Sequence, residues 1–472
     1  MINVSGLLFL SARAVSAAGN LIAVAVFTRL AGPSEYGHYL LIFAWSLIVY
    51  GFGAQWMRFA FFGVYHPQRF GEYVSSLGVL FVGGLAIVAL ALTGLGAAGS
   101  FEPGFLIAVF VLVCGIAVYE AVFEIARTLL YVRGMTLSMV LRAAMTVAFG
   151  SASLWLGGGA RGLALAIALA HVAAALPCCA IFFKIRLVPA SRFASLHILG
   201  YGWPLLLSFG VAAVGQTIDR LLLAHYLGTA VLGSYGVAAD VLRQSFTVFG
   251  EVIALSLVTT AKQHATKGNL EAANAVLRKA FNACLAAAAF GTAFFIVFGD
   301  VALRLVLKPA FIAPSHALIP VFAITFAFMI MRNFYFAQVI YFTAASYLEL
   351  LMSLLLFGVS TALAVTLVPT YGARGAALAL MTASILSCTA FMLLGRRWYR
   401  LPVDLDGLTI IPALAVVFIL GSRVAAGFAH SGNALLVFDA VVFALFGAFA
   451  IRRFGLLNAV PAAGMLEEVS TS

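Results

Sequence analysis

Fourteen runs of about 20 apolar residues follow one another along this chain, the first near 6–30 and the last near 433–451. A helix needs about 20 consecutive apolar residues to cross the hydrocarbon core of a bilayer. The connections between the runs are short, so no soluble domain fits among them. Charge content agrees with this picture. Only 9% of the 472 residues are charged and 64% are hydrophobic, whereas a soluble domain is about 25% charged. There is too little polar surface to cover a globule in water. The expected fold class is an all-α polytopic membrane protein with about 14 transmembrane helices.

The first run has the small residues "SARA" (Ser11–Ala14) of a cleavable signal, but no basic region precedes it and it continues to Arg29. It reads as a retained helix. The five cysteines, at 114, 178, 179, 284 and 388, all fall inside apolar runs and lack disulfide or zinc spacing. They read as small apolar fillers, and neither metal nor cofactor is expected.

The net charge of +11 would raise the question of nucleic acid in a soluble protein. Here it follows the positive-inside rule. With the N-terminus in the cytoplasm, fifteen Lys and Arg fall in the cytoplasmic connections and flanks, from Arg69 to Arg453. Six fall on the other side: Arg29, Arg161, Arg304, Lys308, Arg374 and Arg423. Both termini are therefore expected in the cytoplasm, with membrane lipids and no nucleic acid as partners.

The chain repeats itself. "RLAGPSEYGHY" (Arg29–Tyr39) and "HYLGTAVLGSY" (His225–Tyr235) share a Gly-x4-Gly-x-Tyr frame, with Gly32, Gly37 and Tyr39 matching Gly228, Gly233 and Tyr235 at a constant offset of 196. "GARGLALA" (Gly159–Ala166) and "GARGAALA" (Gly372–Ala379) match at an offset of 213. Two anchors in the same order indicate a duplicated six-helix unit. Residues 1–184 form the first expected lobe, 185–199 a basic cytoplasmic linker and 200–396 the second lobe. Residues 397–472 add two further spans and a short tail. Parallel repeats of this kind place substrate sites between the halves. Lys262–Ala280 is expected to be a surface-lying helical extension between the eighth and ninth runs, amphipathic over Asn269–Arg278.

Motifs for nucleotide, zinc or dithiol chemistry do not occur: the chain has no Gly-x4-Gly-Lys-Ser/Thr, no His-Glu-x-x-His and no Cys-x-x-Cys. Membrane transferases and ligases use a large loop to hold acceptor and acid/base groups, and none is long enough here. Transport is the remaining class, and no enzyme activity is expected.

The informative residues are charges within the spans. Each costs about 2.5–3.5 kcal/mol at the bilayer centre, so it must face a cavity or a partner. Residues at i, i+3, i+4 and i+7 share a helix face. On that spacing the eighth run carries a stripe of Asp240, Arg243, Gln244, Thr247 and Glu251, and the seventh carries Gln216 beside Asp219 and Arg220. Arg13, Ser16 and Asn20 share a face of the first run, and Glu120, Glu124 and Arg127 one of the fourth. Arg58, Arg142 and Arg332 lie within the second, fifth and tenth runs. Asp219 and Arg220 are sequence neighbours and do not face each other on a helix. Arg243 is the expected partner of Asp219, and Asp240 or a ligand anion that of Arg220. Arg220 is the residue expected to face the cavity. Glu120 and Glu124 either pair locally with Arg127 and Arg133 or form a coupling site for a proton or cation. His171 reads as a packing residue, and Glu349 and Asp439 carry no assignment. Two readings stay open for the whole set: ion pairs that hold the bundle, or a cavity for an anion such as a pyrophosphate. Arginine's planar fork suits phosphate oxygens.

Gly200–Val241 resembles the start of the second half of the polysaccharide-biosynthesis flippases, the O-antigen and exopolysaccharide translocases of the multidrug/oligosaccharidyl-lipid/polysaccharide exporter superfamily. The resemblance rests on Pro204, Asp219, Arg220, Leu227, Gly228, Gly233, Tyr235 and Ala239, on Thr28–Phe43, and on the two Gly-Ala-Arg-Gly turns. It implies two six-helix lobes in a V around a laterally opening cavity, in a bacterial inner membrane. It also implies a cargo of oligosaccharide linked through pyrophosphate to a polyprenol, with a polysaccharide polymerase and a chain-length regulator as partners. Arg13, Arg58, Arg220, Arg243 and Arg332 are the residues it would place on the pyrophosphate. Asp219, Asp240, Glu251, Glu120 and Glu124 would orient them or couple transport. Lipid II flippases and proton- or sodium-coupled multidrug exporters share the fold and stand as alternatives.

Overall fold

The computed structural model describes residues 4–342, 347–428 and 432–456. Among them there is no strand. Apolar side chains cover the outside: Val82, Leu90 and Phe428 are 70%, 73% and 77% exposed. Such faces are stable only in lipid, where each backbone polar group must be satisfied within its own helix. The protein is a multi-pass membrane protein.

The first lobe consists of α1 (Val4–Leu30), α2 (Pro33–Val64), α3 (Pro67–Ala97), α4 (Pro103–Thr128), α5 (Val132–Trp155) and α6 (Gly159–Lys184). The second consists of α7 (Arg192–Leu227), α8 (Thr229–Thr266), α9 (Leu270–Val306), α10 (Ile319–Phe334), and α11 and α12. The last two are the parts of Tyr347–Gly395 on either side of Gly372. α13 (Leu405–Phe428) packs on α9, and α14 (Gly432–Arg453) on α13. Twelve segments among the described residues, with Tyr347–Gly395 counted once, are long and apolar enough to cross a membrane, and α1 is a shorter apolar helix over Val15–Leu30, roughly in line with the expectation of about fourteen. The tail beyond 456 lies outside the described residues.

Local chemistry sets the boundaries. Proline, which lacks the N–H that a first helical turn cannot use, opens α2, α3 and α4. Ser191 Oγ accepts the Ala194 N–H at 3.1 Å and starts α7. The basic linker is therefore shorter than the sequence suggested: Arg192–Leu199 is already the first turns of α7. Asn269 caps α9 in the same way through Ala272, at 3.0 Å. No separate surface helix forms over Lys262–Ala280, because α8 runs on to Thr266 and α9 begins at Leu270. The amphipathic stretch is the entry turns of α9, with its apolar face buried on the bundle.

The two Gly-Ala-Arg-Gly turns share a backbone conformation. The leading glycine of each Gly-Ala-Arg-Gly turn, Gly159 and Gly372, has φ of 61°, a left-handed conformation open to glycine at little cost. Within the first lobe α1 packs on α5, and α4 on α6; within the second, α10 packs on α9 and on the α11–α12 pair. The lobes meet chiefly along α2, which packs on α7 along most of its length and on α8, flanked by α3 against α7 and α1 against α8.

Candidate functional site

Two adjoining cavities lie between the lobes, of about 740 Å³ and about 410 Å³. Arg58, Glu120, Arg142 and Thr247 line both, so the two form one polar space. α2 and α8 pass through it, and each contains a π-helical segment there, Gly51–Gln55 shortly before Arg58 and Ala254–Val258 just after Glu251. A π-turn shifts the register of a helix and is frequent at functional sites.

The charges sought by spacing gather around this space, and nearly all are paired. Arg13 reaches Glu251 at 2.8 Å, joining α1 of the first lobe to α8 of the second. Arg58 of α2 bonds Glu120 of α4. Arg127 binds Glu124 at 2.5 Å, one turn away. Asp240 is shared: Arg220 approaches it at 2.5 Å and Arg243 at 2.7 Å. Arg332 uses three nitrogens for three partners, Nε to Ser387 (2.9 Å), Nη1 to Asn333 (2.6 Å) and Nη2 to Glu349 (3.0 Å).

Several expected pairings are corrected. Asp219 is not held by Arg243; it accepts the Tyr235 hydroxyl at 2.6 Å, while Arg243 turns to Asp240 on its own helix. Arg220 reaches the cavity wall, but its side chain is 5% exposed and held by Asp240; Arg243, at 42%, is the more accessible cation. Glu120 finds its partner across helices in Arg58, rather than in Arg127 or Arg133. Asp439 is buried between α13 and α14, where it accepts the Ser422 hydroxyl at 2.8 Å.

Three further groups belong to the site. Arg142 of α5 lines both cavities. It is the one cavity-lining arginine without a carboxylate in ion-pair range among the described residues. Its hydrogen bond goes to Ser16 at 3.4 Å, and its guanidinium lies 5.2 Å from the Tyr119 ring. Its presence in an apolar run was the signal. Glu349, which spacing left without a role, is an Arg332 partner. His171 also lines the larger cavity, with Nδ1 2.8 Å from the Ile167 carbonyl; a carbonyl only accepts, so Nδ1 donates.

Among solved structures, the lipid II flippase MurJ in an inward closed conformation aligns with this chain at a TM-score of 0.76 and 12% identity, over 95% of this chain and 99% of that one. A MATE-family multidrug resistance transporter of the MOP superfamily, inward-facing, aligns at 0.62 and 14% identity, over 81% and 94%. The chain shares the fold of these two solved proteins. A Pyrococcus furiosus MOP-superfamily transporter, for which a binding pocket of reverse polarity suggests a different function, shares this fold at a TM-score of 0.52 and 15% identity, over 82% and 95%. No family model matches the chain, and no curated protein matches it by sequence.

Proposed function

We propose that this protein is a flippase of a bacterial inner membrane. It carries a polyprenyl-pyrophosphate-linked oligosaccharide across the bilayer by alternating access, for surface polysaccharide synthesis. The observation that carries this reading is the polar space between the lobes, lined by seven arginines yet enclosed by lipid-facing helices. An amphiphile with an anionic head fits such a space: the head is desolvated among guanidinium groups while the tail stays in lipid. Arg13, Arg58, Arg220, Arg243 and Arg332 form the pyrophosphate surface, and Arg243 is the most accessible of the three in the second lobe. Glu120, Glu124, Asp240 and Glu251 hold their arginines in place between turnovers, and Asp219 fixes the α7–α8 contact through Tyr235. A diphosphate offers more acceptor oxygens than one carboxylate and competes for these forks. A cationic drug is disfavoured by the same arginines.

The test is a joint Arg220→Ala, Arg243→Ala and Arg332→Ala change, with polymer export followed at normal protein level. Loss of export is expected; export that survives overturns the reading. A lipid II-type substrate is the second reading, because the flippase aligned over 95% of this chain is one for lipid II. Growth of cells depleted of their own lipid II flippase, supported by this chain, would select it.

A further inference from the structure

The paired arginines of the cavity leave one positive charge over. The arginines that line the space are seven: Arg13, Arg58, Arg127, Arg142, Arg220, Arg243 and Arg332. Five carboxylates line it as well, and Asp240 stands behind Arg220 and Arg243 as a sixth. The surplus sits at Arg142, the one without a carboxylate.

Two other donors in the first lobe point to the same need. Tyr50 is 4% exposed and lines the larger cavity, and its hydroxyl has no hydrogen-bond partner. Arg58 gives Nη1 to Glu120, but its buried Nε has no partner. A buried donor without an acceptor costs about 1–3 kcal/mol, so two in the cavity that Arg142 also lines form a site that an acceptor would complete. All of these groups can donate, and the uncompensated Arg142 guanidinium favours an acceptor that is an anion. One surplus charge specifies a single negative charge, and a pyrophosphate carries more than that.

We propose that Arg142, Tyr50 and the Arg58 Nε form a subsite for a carboxylate on the saccharide part of the cargo, so that the substrate class is an acidic oligosaccharide. This rests on the flippase reading above. A carboxylate is planar and monoanionic at neutral pH. One oxygen pair accepts from a guanidinium fork, and a remaining lone pair accepts from the Tyr50 hydroxyl. The acidic sugar is then held in the first lobe, next to the Arg58 that also serves the head group, while Arg220, Arg243 and Arg332 hold the head group from the second.

The test is binding to the full chain in lipid nanodiscs with three probes: a glucuronate-containing tetrasaccharide, its carboxyl-reduced neutral counterpart, and inorganic pyrophosphate. Wild type is expected to prefer the acidic saccharide at least tenfold. Arg142→Gln should abolish that preference and leave pyrophosphate affinity within twofold. Tyr50→Phe, which removes only an unpartnered hydroxyl and so spares folding, should reduce the preference severalfold. The inference is overturned if wild type shows no preference, if the preference survives Arg142→Gln, or if Arg142→Gln weakens pyrophosphate instead. Acetate that competes as well as the saccharide also overturns it, since the site would then take any small anion. A wild type that prefers the acidic saccharide but binds no pyrophosphate overturns the pyrophosphate-linked cargo and leaves this subsite standing.

Discussion

Gly37 and Gly233 occupy matching places in the two halves of the chain and meet each other across the lobe interface. A Cβ on Gly37 would lie 1.8 Å from the Thr229 carbonyl oxygen and 2.9 Å from the Gly233 nitrogen; one on Gly233 would lie 2.0 Å from the Pro33 oxygen and 3.1 Å from the Gly37 nitrogen. The repeated frame found in the sequence is therefore a close backbone contact between the lobes, with Ser34 and Thr229 hydroxyls bonded beside it at 3.2 Å. Gly233→Val should wedge the lobes apart here. In a background with the native cysteines replaced, Ser34→Cys should become severalfold more reactive to a membrane-impermeant maleimide when Gly233→Val is added. Unchanged labelling would show that this contact does not hold the lobes together here.

Farther along α8 an ion pair also joins the lobes. Arg13–Glu251 lies 18 residues along α8 from Gly233, roughly 27 Å at the helical rise, which approaches the thickness of a hydrocarbon core. The two contacts are thus separated by nearly the depth of a bilayer core. Arg13→Glu or Glu251→Arg alone should cut transport about tenfold by putting like charges together. The double reversal should recover most of it. Failure of the reversal to recover would mean that each residue acts on the cargo rather than on its partner.

The spans, the duplication and the arginine stripes were legible in the sequence because lipid enforces them locally: a run must be apolar, and a charge in it is conspicuous. The partners were not. Helical spacing found Arg127 for Glu124 within one turn. The expected pairing of Arg220 with Asp240 is met, while Arg243, expected at Asp219, binds Asp240 instead. Spacing had no means to find Glu120 for Arg58, Glu251 for Arg13 or Tyr235 for Asp219, since those depend on which helices the fold brings together. The surplus charge at Arg142 was invisible for the same reason, because a surplus is known only once every other pairing is.

Asp240 should matter more to stability than either arginine it holds. Arg220 is buried, so Asp240→Ala leaves a desolvated guanidinium without its counter-charge, a change that costs about 3–5 kcal/mol at buried pairs. Arg243 is well exposed to the cavity, so Arg243→Ala should cost about 1 kcal/mol or less, as for exposed pairs. Thermal unfolding in detergent should rank Asp240→Ala well below Arg243→Ala. Equal melting temperatures would mean that water in the cavity screens Arg220 as fully as Arg243.

Arg332 predicts a difference between two substitutions usually treated as mild. Its fork is divided among Ser387, Asn333 and Glu349, which tie α10 to α12 and α11, and its guanidinium lies 5.4 Å from the Phe391 ring. Lysine keeps the charge, but its ammonium is a single point on a flexible stem and cannot meet three partners in one plane. Arg332→Lys should therefore lose transport nearly as fully as Arg332→Ala, about tenfold or more. At Arg243 the one partner is Asp240, a turn away and within reach of an ammonium, so Arg243→Lys should retain at least half of wild-type transport. Export measured for the four variants at matched protein level checks this. If Arg332→Lys transports as well as Arg243→Lys, charge alone is what the second lobe supplies and the three-way tether is dispensable.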